Sequence, residues 1–542
     1  VIDTGIESLE GDPLEHRAAA TPDRVVLVDA DRNRRWTARA LDQWVEELST
    51  ALPGANDPLG ILMSSRPAFV RVFWAAVRTG RPLVPLNVRE TPETIARKAT
   101  RAGVRTIICG GETAALTRAV RAEGTPVCDV YTVDGQGAEP LEALEQSEPA
   151  ALSDEPKRDT RAERDASPAS VELAPETALV LFTSGTTGDP KGVRLTMSNL
   201  LASATASAFR LGLSSDDRWL CCLPMYHMGG LAPAVRSLLY GTTAVIQREF
   251  DPTDTAALLE DAGITGVSLV PTMLSRLLET GWEPASTLRF VLLGGAPASE
   301  SVLEQALARK IPVCPTYGMT ETASQIATAT PPVLRDRPKT VGQPLVGTRV
   351  TVVDPSGEPV ERGTAGELVV DGPTVTPGYL EADTDAFGPY GLHTGDLGRC
   401  DEDGYLWVLG RRSDRIISGG ENVDPVEVQE VLETHPLVET AVVVGIPDPE
   451  WGERVSALVV PSESAIDDPQ RTGERPALEP EMLREHCRTS LAGFKCPKTI
   501  AMTDTIPRTH SGTVDRTAVI EHLTDAKTAS ERRRSRGGTS QS

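Results

Sequence analysis

The stretch Leu181-Phe-Thr-Ser-Gly-Thr-Thr-Gly-Asp-Pro-Lys-Gly-Val193 decides the reading of this chain, because it gathers hydroxyls, glycines and one lysine into a loop suited to polyphosphate. Ala178 to Phe182 before it predicts a buried strand. Ser198-Asn-Leu-Leu-Ala-Ser-Ala after it predicts a helix with Ser198 as its cap. A Gly-rich turn from strand to helix brings backbone N–H groups together on an anion. The order is not that of a Walker A loop, which ends in Gly-Lys-Ser/Thr. Here Lys191 follows Pro190 and precedes Gly192, and the hydroxyl residues come first.

At 542 residues the chain is too long for one ordinary core, and two to four folding units are expected. A hydrophobic content of 39% suffices for globular packing. The formal net charge of -23 excludes the basic face that a nucleic acid or an anionic membrane surface requires. All but eight of the 54 basic residues are arginine. That balance, with the acid excess, resembles the cytoplasmic proteins of salt-accumulating halophiles; a GC-rich genome explains the arginine but not the acid. The cysteines form no CxxC pair and no zinc-site spacing, so they are expected to be buried free thiols in a reducing cytoplasm. The start, Val1 to Glu15, lacks the basic and apolar run of a signal peptide, and no apolar segment reaches membrane-spanning length. A soluble, cytoplasmic chain without stable membrane insertion follows as the expectation, and a homo-oligomer is compatible with it.

Short apolar runs alternate with helical stretches from Val25 to about Ile108, and again through Trp219 to Leu223, Thr243 to Ile246, Gly266 to Val270 and Phe290 to Gly294. This is α/β order. Beyond Gly347 short alternating strands predict a β-rich subdomain, and near Gly410 a small α+β domain begins. The expected fold class is therefore α/β: a large N-terminal domain of α/β layers plus the β-rich subdomain, 1–409, and a small mobile α+β C-terminal domain, 410–525. Residues 135–170 are rich in Glu, Asp, Ser, Pro and Ala and predict a mobile insertion; 526–542 predict a disordered tail.

The order Thr183-Ser184-Gly185-Thr186-Thr187-Gly188 followed by Pro190-Lys191-Gly192 resembles the phosphate loop of the adenylate-forming enzymes, the acyl-CoA synthetase and firefly luciferase superfamily. Further motifs recur in that superfamily's order over roughly residues 20 to 525. The resemblance implies ATP, Mg²⁺ and CoA as co-substrates or cofactors and a small carboxylic acid as partner. It makes His227, in Pro224-Met-Tyr-His-Met-Gly-Gly230, the gate of an acyl pocket, although a lone histidine is more often structural. Gly294-Gly295-Ala296-Pro297 is where a flat adenine approaches the backbone. Within Thr316-Tyr317-Gly318-Met319-Thr320-Glu321, Tyr317 lies against adenine, Thr320 meets the α-phosphate and Glu321 binds Mg²⁺, with a capping Thr-Glu pair as the plain alternative. Asp396 takes the ribose hydroxyls. Arg411 lies near ribose or phosphate, Ser413 is the hinge, and Gly419, Gly420 and Glu421 line the pantetheine tunnel. Ser324 and Gly295 join His227 in the acyl pocket.

One position departs from the pattern. Relatives place a lysine after the glycine of Ser511-Gly512, bridging acyl carboxylate and α-phosphate, whereas here stands Thr513. Threonine supplies no such charge. Either Lys495, Lys498, Arg508 or Arg516 reaches in, or adenylation is weakened. Three segments resemble the menaquinone-pathway 2-succinylbenzoate–CoA ligases: Pro224 to Leu231 with Leu238-Leu-Tyr-Gly241, Tyr317 to Thr328, and Arg411 to Asn422. That resemblance implies adenylation of 2-succinylbenzoate and transfer to CoA. Another aryl or medium-chain acyl-CoA synthetase is the alternative, and a non-catalytic nucleotide- or acyl-binding protein, motivated by Thr513, is the third reading.

Overall fold

The structure, a computed structural model, describes residues 12–52, 57–134, 139–140, 176–183, 190–381, 386–462, 478–508 and 514–537. The expected insertion at 135–170 lies outside the described residues except for the short strand Glu139–Pro140. Two compact units are present. One comprises Val1–Thr351, Val369–His393 and Cys400–Trp407; the other comprises Val352–Leu368, Thr394–Arg399 and Val408–Ser542.

Among the described residues, two sheets lie wholly within the first unit. The larger, nine-stranded sheet runs Gln343–Pro344, Ser324–Thr328, Val313–Met319, Phe290–Leu293, Gly266–Leu269, Arg218–Cys221, Thr243–Ile246, Val25–Asp29 and Arg34–Thr37 in spatial order. Its central pairings are parallel and its edges antiparallel. The central strands are buried end to end, as sheets covered on both faces require. The seven-stranded sheet runs Glu139–Pro140, Asp129–Thr132, Thr106–Cys109, Leu59–Leu62, Leu83–Pro85, Thr177–Thr183 and Lys191–Thr196. Helix Pro67–Arg78 is buried along nearly its whole length because apolar residues fill all its faces between the layers. Parallel strands need crossover helices, which explains the alternation read from the sequence.

The smaller unit carries the sheet Glu421–Val423, Ile416–Ser418, Gly452–Pro461 and Val438–Asp448, with Thr499–Met502 beside Gly452–Pro461. One face packs Val443, Val455 and Val459 with Val428, Leu432 and Leu483 of helices Pro425–Glu433 and Pro480–Ser490. The other packs Val442, Val444 and Leu458 against Val519 and Leu523 of helix Arg516–Gly537. The large α/β part, the β-rich strands Arg349–Val353, Ala365–Asp371, Gly391–Cys400 and Leu406–Arg411, and the small α+β part are those the sequence predicts.

Three expectations are corrected. The loop after Thr177–Thr183 leads not into a helix but into the antiparallel strand Lys191–Thr196, with Thr183 opposite Lys191. The alternation Lys-Gly-Val-Arg-Leu-Thr has the period of a strand. Helix Met197–Leu211 is capped by Thr196 rather than Ser198: Thr196 Oγ1 accepts from Asn199 N at 3.0 Å, while Asn199 Oδ1 accepts from Thr196 N at 3.0 Å. The expected disordered tail 526–542 is instead helical as far as Gly537, because helix Arg516–Gly537 runs on through good helix formers once its first turns are docked by Val519 and Leu523. Cysteine burial also differs in detail, because Cys128 is exposed and Cys400 half-buried.

Candidate active site

In the larger unit the site residues gather at the carboxyl ends of the parallel strands, where open α/β sheets bind ligands. Strand Phe290–Leu293 ends in Gly294 and Gly295. A Cβ on Gly294 would lie 2.7 Å from the Thr316 methyl, and Gly295 has φ +82°. Ala296 and Pro297 complete that turn. Tyr317, Gly318 and Met319 belong to strand Val313–Met319, which turns back through the short 3-10 helix Thr320–Thr322 into Ser324–Thr328. Gly318 is obligatory, because a Cβ would fall 1.7 Å from the Ser324 carbonyl oxygen. Ala323 and Ser324 have φ of 50° and 115°, strained for residues with side chains. The expected pocket residue Ser324 thus sits on a bend imposed by the motif before it.

Glu321 is buried, and Tyr379 Oη donates to its Oε1 at 3.2 Å. The Lys191 ammonium lies 5.2 Å from the centre of the same tyrosine ring. Lys191 and Glu321, distant in sequence, are therefore brought to one place. Thr183 lies opposite Lys191 at the base of the phosphate hairpin; Ser184, Gly185, Thr186, Thr187 and Gly188 lie outside the described residues. His227 stands immediately before helix Met228–Tyr240, edge-on to Tyr226 at 4.9 Å. Burial, then the positive charges of Lys98 and Arg89, push its pKa down to about 4, so the imidazole is neutral at pH 7. Lys98 is itself clamped by Glu90 at 2.6 Å.

Two further groups in this unit escaped the sequence reading. Tyr379 belongs to a Gly-Tyr pair that could have been read as another loop beside the phosphate site. Arg236 is an arginine in the middle of an apolar helix, buried to 2% exposure. Its Nη2 donates to Ser203 Oγ at 2.9 Å, and Ser203 donates to the Ala323 carbonyl at 2.7 Å. Nε and Nη1 have no hydrogen-bond partner, and no carboxylate pairs with the guanidinium among the described residues. The Trp219 ring, its centre 6.0 Å from the guanidinium carbon, offsets part of the cost of burying this charge.

In the smaller unit, buried Asp396 receives Arg411 Nε at 3.1 Å from its Oδ1. The two expected ribose-side residues are thus adjacent. Ser413 lies in the 3-10 turn Arg412–Asp414, whose ends are tied by Arg412 to Glu367 at 3.0 Å and Asp414 to Arg516 at 2.9 Å. Gly419 and Gly420, with φ of 63° and 86°, form the two-residue turn between Ile416–Ser418 and Glu421–Val423. Glu421 begins the second strand. Gly419 N donates to the Trp451 carbonyl at 2.8 Å, and a Cβ on Gly419 would meet the indole at 2.9 Å. Of the four cations considered for the Thr513 role, Lys495 is paired with Glu427 at 2.6 Å and Arg516 with Asp414 at 2.9 Å. Lys498 sits over the Trp451 ring at 2.9 Å, and burial lowers the pKa of both Lys498 and Arg508. Thr513 lies outside the described residues.

Residues 14–380 match the family model described as AMP-binding enzyme, and 427–513 match that of the AMP-binding enzyme C-terminal domain. A 2-succinylbenzoate–CoA ligase of Bacillus pumilus (strain SAFR-032) is 36% identical over 512 residues, covering 93% of this chain and 96% of the relative. One from Geobacillus kaustophilus (strain HTA426) is 36% identical over 502 residues, covering 91% and 94%. Among solved structures, the o-succinylbenzoate CoA synthetase of Bacillus subtilis in complex with its acyl-adenylate intermediate superposes with a TM-score of 0.78 at 30% identity over 94% of this chain and 98% of that one. The same enzyme in complex with ATP and magnesium ion gives 0.77 at 30% identity, covering 94% and 99%. No described helix is long and apolar enough to cross a membrane.

Proposed function

From the premise that the chain belongs to the AMP-binding enzyme family, we propose how its residues share the two half-reactions of a 2-succinylbenzoate–CoA ligase. The enzyme takes 2-succinylbenzoate, ATP and CoA and releases 2-succinylbenzoyl-CoA, AMP and diphosphate, a step of menaquinone biosynthesis. In the first half-reaction the succinyl carboxylate attacks the α-phosphorus, an acyl O–P bond forms and the bond to diphosphate breaks. In the second the CoA thiol attacks the acyl carbonyl and AMP leaves. Splitting the condensation gives two displacements, each easier than the direct one.

The observation that carries the reading is the convergence of Lys191 and buried Glu321 on Tyr379 beside the phosphate hairpin. Lys191 offsets the charge of the polyphosphate, and Thr183 to Gly188 cradle it. Tyr317 and Gly294 to Pro297 flank adenine, and Gly318 and Met319 carry Thr320 to the α-phosphate. One buried carboxylate near the phosphate-site lysine suits magnesium, which takes one or two carboxylates and completes its shell with nucleotide oxygens, and among the described residues no group of three or more His, Cys, Asp or Glu offers a protein cage. Glu321 would hold the ion, which when bound withdraws negative charge from the phosphates. Asp396, steadied by Arg411, accepts the ribose hydroxyls. Neutral His227 gates the acyl pocket with Gly295 and Ser324. The domain division falls at 409/410 with a hinge at Ser413, and the Gly419-Gly420-Glu421 turn lines the pantetheine path. The acid excess and scarcity of lysine support a salt-accumulating cytoplasm as the setting.

2-Succinylbenzoate carries a second carboxylate on its ring. Arg236, behind the Ala323–Ser324 bend and without a carboxylate of its own among the described residues, has the charge to receive it. Acid-dependent exchange of diphosphate into ATP tests both points. Wild type should prefer 2-succinylbenzoate to 4-oxo-4-phenylbutanoate, which lacks the ring carboxylate, by at least ~10-fold, one charged hydrogen bond's worth. Arg236→Met should erase that preference. Equal exchange with both acids in wild type would remove Arg236 from substrate recognition.

A further inference from the structure

Segment Pro373–Leu380 is a strap that joins the phosphate hairpin to the turn bearing Glu321. Asn199 Nδ2, in the helix following the hairpin, donates to the carbonyls of Pro373 and Val375 at 2.8 and 3.0 Å. Thr376 N donates to the Glu321 carbonyl at 2.7 Å, which ties the strap to the other side. Arg194 N donates to the Gly378 carbonyl at 3.1 Å, and Leu380 N donates to the Gly192 carbonyl at 2.7 Å. Val193 and Tyr379 form an antiparallel bridge. The strap thus pairs with the edge of the hairpin through a single bridge and its flanking hydrogen bonds. It lies so close that a Cβ on Gly192 would meet the Leu380 side chain at 2.4 Å, and Gly378 has φ +138°, a conformation that favours glycine. Thr376, buried, closes the bend by donating to the Gly378 carbonyl at 2.8 Å.

The product of this scaffolding is the placement of one side chain. Tyr379 is half-buried, its phenol 3.2 Å from Glu321 Oε1 and its ring centre 5.2 Å from the Lys191 ammonium. The two ends of the tyrosine meet two different functional groups: a donor faces the carboxylate, and the electron-rich face meets the cation. Carboxylates that ligate metals are oriented by such outer hydrogen bonds, and loss of one weakens metal binding. We propose that Tyr379 is a positioning residue for adenylation, a fixed spacer that sets the Glu321 carboxylate toward the metal and the Lys191 ammonium toward the phosphates in one geometry. This deepens the reading of Glu321 and Lys191 given above and rests on it. Tyr379 itself gives and takes no proton in the reaction. Its two contacts can be removed separately.

Tyr379→Phe keeps the ring and loses the donor; Tyr379→Leu loses both. The readout is Mn²⁺ affinity in the presence of ATP, followed by electron paramagnetic resonance, with metal-free ATP affinity by calorimetry and the thermal midpoint of the apoprotein alongside. Tyr379→Phe should weaken Mn²⁺ about 10-fold while leaving metal-free ATP affinity at the wild-type value. Tyr379→Leu should weaken both. In each variant, supplied 2-succinylbenzoyl-adenylate should still pass to CoA at the wild-type rate, which a general folding defect would not permit. Wild-type Mn²⁺ affinity in Tyr379→Phe, or loss of the CoA step in step with the thermal midpoint, would overturn the proposal. Glu321→Gln separates the two levels. If it weakens Mn²⁺ binding but Tyr379→Phe does not, the spacer role alone fails; if Glu321→Gln has no effect, the metal-site reading fails and the spacer role with it.

Discussion

His227 is held neutral by its surroundings: burial disfavours the imidazolium, and Lys98 and Arg89 add to the effect. Between about pH 4, its folded-state value, and about 6.5, the value of an unperturbed imidazole, the unfolded chain carries a proton that the folded chain does not. Stability therefore falls as pH is lowered through this window. Urea denaturation across the window should give a shallower pH slope for His227→Phe than for wild type. Equal slopes would mean that His227 is protonated in the fold. Lys191 stands out in the sequence among hydroxyls and glycines, and Glu321 and Asp396 stand out through motifs that resemble those of the superfamily. Tyr379 and Arg236 do not, because their significance comes from what long-range folding sets beside them. Tyr379 meets Glu321 across 58 positions of sequence. Arg236 reads as an ordinary helical residue until its burial and its two unpartnered nitrogens are seen.

At the scale of elements, the Gly419–Gly420 turn shows what a sequence can and cannot foretell. Two consecutive glycines between short apolar strands announce a tight hairpin. They do not announce that Trp451 packs against only the first of them. Either glycine replaced by alanine should cost about 1–2 kcal/mol for the left-handed backbone. Gly419→Ala must also displace the indole, whereas Gly420 has open space around it. Gly419→Ala should therefore destabilise the smaller unit more than Gly420→Ala in urea denaturation, and should slow single-turnover transfer of the acyl group from adenylate to CoA more strongly. Equal effects on both measurements would show that Trp451 does not shape the turn. The phosphate loop was misread in the opposite sense. Its residues point to polyphosphate, but Lys191 to Thr196 alternates with the period of a strand, and Thr196 with Asn199, not Ser198, caps the helix reciprocally. The element that follows the loop is thus a strand, and helix Met197–Leu211 begins only after it.

For the whole molecule, the pattern of strands and helices disclosed a large α/β part, a β-rich stretch and a small α+β part, because parallel buried strands and their crossover helices leave a strong apolar signature. The tail was beyond that signature: a polar sequence of good helix formers reads as disordered until something docks its first turns, as Val519 and Leu523 do. A net charge of -23 favours unfolding by self-repulsion unless salt screens it, so the account is best tested at high ionic strength. The most direct measurement is the CoA thioester formed by wild-type protein in molar KCl from ATP, Mg²⁺, CoA and 2-succinylbenzoate, identified by mass spectrometry, with benzoate, coumarate and octanoate in parallel reactions. The account predicts 2-succinylbenzoyl-CoA, with one AMP released per thioester and little or no product from the other acids. Thioester formed only from another acid, or ATP bound without AMP release in any reaction, would contradict it.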